Sequence, residues 1–89
     1  WHLYYTGGEI GNRKIYHSTS NNGIVWTQPT LVLDKGTSGS LDEKEVFAPS
    51  IVYFKDTSTF YMIYSEQNNA GKFNIALAQS STGNEFTTI

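Results

Sequence analysis

Eighty-nine residues with a formal net charge of −2 and no cysteine make one small domain at most, near the size at which a single core only just suffices, with no disulfide or thiolate metal site to reinforce it. The six basic residues are scattered, which argues against a phosphate-backbone partner, and no apolar run approaches the ~18 residues of a membrane span. Nucleic acid and membrane are therefore not expected partners.

The chain opens on an aromatic stretch rather than on a charged and apolar signal segment, and is expected to be cut from something longer. In chain order, strands are predicted at Trp1–Thr6, Lys14–Ser20, a broken Val25–Leu33, Ser50–Phe54, Phe60–Ser65, Asn74–Ser80 and Glu85–Ile89. These runs are rich in Tyr, Phe, Trp, Thr, Val and Ile, and no segment carries a helical stripe. Turns fall at GGEIGN, NNG, KDTST, EQNNAG and STG, which hold residues that tolerate positive φ or bond their own backbone. The expected fold is an all-β antiparallel meander.

Two features refine that expectation. The stretch TSNNGIVWT (19–27) has an echo in QSSTGNEFT (79–87), with Gly23 and Gly83, Trp26 and Phe86, and Thr27 and Thr87 all sixty positions apart. Upstream, WHLYYT lies against FYMIYS at fifty-nine and KIYHSTS against NIALAQS at sixty, the order expected of a repeat with one inserted residue. Secondly, SIVYF and FYMIYS are apolar or aromatic at successive positions instead of alternating, as in sheets covered on both faces. An antiparallel architecture of that kind is a radial stack of four-stranded blades.

The succession YYTG, HSTSNNGIVWT, FAPS followed by IVYF, MIYS and NIALAQSSTG resembles consecutive blades of the five-bladed propeller glycoside hydrolases, particularly family 43 and its relatives in families 32 and 62. FAPS is similar to the Trp-Ala-Pro-Asp opening of an innermost strand in family 43, and TSNNGIVW is also similar to the Asp-box of sialidase-type propellers. The resemblance implies an incomplete blade in residues 1–49, with its connection to the next, and a complete blade in residues 50–89. Together these make about one and three-quarter blades. It makes Ser50–Phe54 the innermost strand and places NNG and STG on the face away from the pocket, with Trp26 or Phe86 packing between blades.

Function is then expected at the opposite end, in residues 34–50 and the hairpins 6–14 and 65–74, where Glu9, Asp42, Glu43, Glu45 and Glu66 gather. Glycoside hydrolysis needs two carboxyl groups about 5 to 9.5 Å apart, one protonated and one ionised. Where the resembled family has its motif Asp this chain has Ser50, and a hydroxyl cannot supply that charge, so the isolated chain is expected to be inactive. Glu45 is the candidate substitute carboxylate. The candidate glycan-binding residues are Glu45, Phe47, Ser50, Tyr64, Glu66 and Gln67, with Phe47 and Tyr64 either stacking on a pyranose or packing between blades.

His2 and His17 lack a ligand partner at metal spacing and read as structural. No cofactor is expected beyond a calcium ion that the resemblance allows in a propeller channel. It implies arabinose- or xylose-containing glycans as the partner, cleaved or merely bound, and an extracellular or periplasmic setting. Two-faced apolar blades cannot end in water, so the chain is expected to form homo-oligomers or to belong to a longer propeller.

Overall fold

The β-branched and aromatic runs form seven strands, and the computed structural model, which describes residues 1–89, contains no helix and hence none able to cross a membrane. The strands are β1 (His2–Gly7), β2 (Lys14–Thr19), β3 (Thr30–Leu33), β4 (Glu45–Phe54), β5 (Thr59–Gln67), β6 (Phe73–Ser80) and β7 (Thr87–Thr88). They form two antiparallel meanders, a three-stranded sheet in the order β1-β2-β3 and a four-stranded sheet in the order β4-β5-β6-β7. The expected strand order and pairing are thus observed.

Three boundaries differ most from expectation, two of them for a local reason. β3 begins only at Thr30, because the Asn22 side chain accepts from the N–H groups of Ile24 and Val25 and holds that segment in a turn. β4 starts five residues earlier than predicted: Glu45, Val46 and Phe47 pair with Gln67, Glu66 and Ser65, and a bulge at Ala48 (φ 56°) and Pro49 then resets the register so that Ser50 faces Ile63. A bulge accommodates the missing proline N–H inside an otherwise continuous strand. β7 is confined to Thr87 and Thr88.

The repeat is present in the backbone. Ser20 Oγ accepts from the N–H groups of Asn22 and Gly23, and Ser80 Oγ accepts from those of Thr82 and Gly83. Both glycines have positive φ, and each packs under the aromatic that begins the repeat, Trp1 or Phe60. The same corner is therefore turned twice with the same chemistry.

Alternation of side chains across the pleat decides which residues meet. Phe60, Met62 and Tyr64 of β5 share a face with Ala76 and Ala78 of β6 and with Ile51 of β4. That face packs on Tyr4, Ile15, Val32 and Leu33 of the other sheet, with Phe86 closing the seam. The Phe86 ring meets Tyr4 edge-on at 5.8 Å and its N–H donates to Val32 O at 3.0 Å. Phe86 thus occupies the inter-sheet position expected of it, whereas Trp26 stays half-exposed with no second sheet over it. The Cα extents of 41 × 30 × 16 Å describe a two-layer slab.

Candidate functional site

The 8–13, 34–44 and 68–72 connections converge at one end of the slab, as the strand order requires. Three hydrogen bonds tie them together: Val46 N–H to Arg13 O at 3.1 Å, Asn69 N–H to Glu43 Oε2 at 3.2 Å and Lys44 N–H to Gln67 O at 3.1 Å. Glu43 is further held by the Gly39 N–H at 2.9 Å, and these backbone donors lower its pKa.

Glu45, read in the sequence as a loop acid, is instead a strand residue with 0% exposure. Its Oε1 accepts from Gly11 N–H (3.0 Å), Arg13 N–H (3.1 Å) and Arg13 Nε (2.8 Å), and its Oε2 from Arg13 Nη2 (2.8 Å). Arg13, chiefly, holds the carboxyl down at a pKa of about 2 against the penalty of burial. A carboxylate paired with Arg13 on both oxygens and with no exposed surface has no proton to give and is out of reach of a sugar hydroxyl, so Glu45 is a clip between the two sheets. Arg13 also lies 3.8 Å over the Phe47 ring, which meets Phe73 edge-on at 6.1 Å. One face of Phe47 is thereby already covered by a cation.

Ser50 is exposed on the outer face of the four-stranded sheet opposite Ile63, away from these loops. Tyr64 is fully buried in the core, and only its hydroxyl reaches out, to Thr88 Oγ1 at 3.2 Å. Burial raises its phenol pKa. Gln67 is buried opposite Glu45. His2 and His17 share a hydrogen bond of 2.9 Å between Nδ1 and Nε2, and the His17 ring stacks on Tyr4 at 4.3 Å. Burial, and then the charge of His2, lower the pKa of His17. His2 is exposed and His17 buried, and the pair is a packing contact within the three-stranded sheet. No group of three or more His, Asp or Glu side chains is gathered to hold a metal, and the calcium ion that the resemblance allows finds no such set in this chain.

Glu66 differs from Glu45. It lies on the inner face of β5, opposite Val46 on one side and Asn74 on the other, and is only 4% exposed. Its carboxyl receives no hydrogen bond from the protein, and burial, with a smaller contribution from the charge of Asp42, raises its pKa. The neighbouring Asn74 Nδ2 is buried and without an acceptor. Both side chains line an open cleft of about 490 Å³, with Ser40, Leu41, Asp42 and Thr88 also on its walls. Ser40 Oγ donates to Asp42 Oδ1 at 2.8 Å, and Gly36 N–H to Asp42 O at 2.9 Å, which fixes Asp42 at the rim. Gly36 packs so closely against the Asp42 carboxyl and Ser40 hydroxyl that a side chain there would have to displace them.

Buried polar groups are normally satisfied, so the orphan Asn74 Nδ2, beside a Glu66 carboxyl that opens to the cleft with no protein donor, marks where an external polar group fits. Of the residues named from the sequence, Glu66 alone combines burial with an unpartnered polar group at the cleft. Asn74 was missed, since a polar residue at a strand start is unremarkable in sequence. The signal lay in parity, because Asn74 shares a face with Ala76 and Ala78 and therefore points inward. Comparison of the chain with protein-family models and with curated proteins finds no match.

Proposed function

We propose that the two sheets are consecutive blades of a glycoside-hydrolase-like propeller and that the Glu66 cleft holds part of a glycan. The observation that carries this reading is the pairing of the Glu66 carboxyl, which opens to the cleft without a protein donor, with the buried, unpartnered Asn74 Nδ2 in a cleft of about 490 Å³, within the size range of small-molecule sites. A vicinal diol offers one donor and one acceptor at neighbouring positions, which is what this pair lacks. Leu41 and Ile75 on the walls suit the apolar C–H edge of a sugar ring. The sequence resemblance supplies the expected class, arabinose- or xylose-containing glycans.

Binding without cleavage is the reading we favour, because Glu45 is engaged by Arg13 and Ser50 lies on another face. A hydrolytic reading keeps one specific support. Burial holds Glu66 toward its protonated form while Asp42 sits in the same cleft. Such a pair can supply the general acid and the base of glycoside hydrolysis.

Titration with arabino- and xylo-oligosaccharides, followed by amide chemical shifts, tests the proposal. Saturable shifts confined to the Ser40–Asp42, Glu66 and Asn74 signals are expected, weakened about tenfold in Asn74→Ala, the ~1.4 kcal/mol of one hydrogen bond. No saturable shift at millimolar sugar would sink it. Release of nitrophenol from aryl pentosides, abolished by both Glu66→Gln and Asp42→Asn, would move the assignment from binding to hydrolysis.

A further inference from the structure

Each sheet buries the face that its counterpart exposes. Aligned through the repeat, Tyr4 corresponds to Ile63 and Tyr5 to Tyr64. Tyr4 lies in the inter-sheet core and donates to Gly83 O at 2.7 Å, whereas Ile63 is 52% exposed. Tyr64 is 1% exposed, whereas Tyr5 lies on the outside of the three-stranded sheet, stacked on Tyr16 at 6.1 Å. The next strand repeats the inversion. Ile15 and His17 are buried, and their counterparts Ile75 and Leu77 are 73% and 39% exposed.

The outer face of the four-stranded sheet therefore carries the register of the three-stranded sheet's buried face, and the reverse also holds. Brought together, the two outer faces would form an interface of the same kind as the one already inside the chain. Composition agrees with this. Over Ser50–Phe54, Tyr61–Ser65 and Ile75–Gln79 the outward positions hold Ser50, Val52, Phe54, Tyr61, Ile63, Ser65, Ile75, Leu77 and Gln79, without one charged residue, and Glu45, in the row beyond with Gln67 and Phe73, is buried against Arg13. A solvated sheet face normally carries charges, and an apolar patch of this kind marks an interaction surface.

We infer that this face docks the outer face of the three-stranded sheet, around Leu3 and Leu31, of a second copy of the chain. The contact is head-to-tail, so each copy keeps one face free for the next, and assembly proceeds to a closed ring or an open stack. A back-to-back dimer would pair like with like, for which the chain contains no precedent. The inference stands on the register of the repeat and is independent of the glycan reading.

Sedimentation velocity of the wild-type chain, from low micromolar to several hundred micromolar, is the first arm, and mass increasing with concentration is expected. Ile63→Lys and Leu31→Lys each charge one outer face at a position already exposed, 52% and 41%, and circular dichroism verifies their fold. Each variant alone should associate at least ~tenfold more weakly than wild type. An equimolar mixture should form a dimer of one copy of each, because each supplies the face that the other lacks. A wild-type chain that stays monomeric throughout overturns the inference without reference to any variant. So does either variant associating as well as wild type, which would mean a like-with-like contact, or a mixture that stays monomeric.

Discussion

Glu45 and Glu66 begin on neighbouring strands and end in opposite electrostatic states, because one meets Arg13 and the other meets no donor. Glu45 has its folded pKa lowered to about 2, so its contribution to stability is present above the unfolded carboxylate range and is lost as pH falls toward 2. Arg13 keeps 23% exposure while Glu45 keeps none, which puts the pair between a surface and a buried bridge. Glu45→Gln is expected to lose about 2 kcal/mol at neutral pH, with the gap closing in acid, as read by urea denaturation across pH. Glu66 has its folded pKa raised. Its favourable contribution is present below the unfolded value and is lost as pH rises through the folded one. Glu66→Gln should therefore melt above wild type at neutral pH and lose that advantage near pH 4. A Glu66→Gln melting point below wild type at neutral pH would mean that the carboxyl has a partner not yet identified. Neither state was legible in the sequence. Both acids stand in polar runs, LDEKE and SEQNN, that read as solvated, and what separates them is a guanidinium from another hairpin.

At the scale of the element, the Ser20–Gly23 and Ser80–Gly83 corners share a backbone and differ in what lies on them. Gly23 (φ 77°) has the Trp1 ring no closer than 3.5 Å to where a Cβ would be, so alanine there pays chiefly for positive φ. Gly83 (φ 80°) would place a Cβ 2.8 Å from Tyr4 Oη and 3.2 Å from Phe60 Cζ. Alanine must then also displace the Tyr4 hydroxyl from Gly83 O. Gly23→Ala is expected to cost about 1 kcal/mol and Gly83→Ala about 2 kcal/mol, measured by chemical denaturation. Equal costs would show that the Tyr4 contact contributes nothing to the joining of the sheets. The corners themselves were legible, because hydroxyl, Asn and Gly at fixed spacing dictate the turn wherever they occur. The early start of β4 was not. Ala48-Pro49 reads as a strand opening, and only the long-range pairing of Glu45–Phe47 with Ser65–Gln67 shows that the strand passes through a bulge instead.

For the whole molecule, the sequence announced strand order and two-faced apolarity, yet not which face of each sheet would be inside. That choice is made by packing. The inner faces meet in one shared core of Ile15, Val32, Leu33, Val46, Met62, Tyr64, Ala78 and Phe86, drawn from both sheets. The β1–β3 and β4–β7 segments are consequently two sheets with one core, and neither retains a hydrophobic interior without the other. Met62 sits in that core with 0% exposure, next to Ala78 across β6. Truncating it removes buried methylenes and leaves a cavity, about 2 to 5 kcal/mol. That approaches the total stability expected of a small domain, roughly 0.05 to 0.15 kcal/mol per residue. Met62→Ala should therefore lose the dispersed amide resonances of β5 and β6 together with the ring resonances of Tyr4, which belongs to the other sheet, in one transition displaced to much lower denaturant. Independent sheets would behave differently. The three-stranded sheet contributes no atom to the substituted position, so survival of the Tyr4 signal after loss of the β5 and β6 signals would mean that the inter-sheet core does not hold the two layers together.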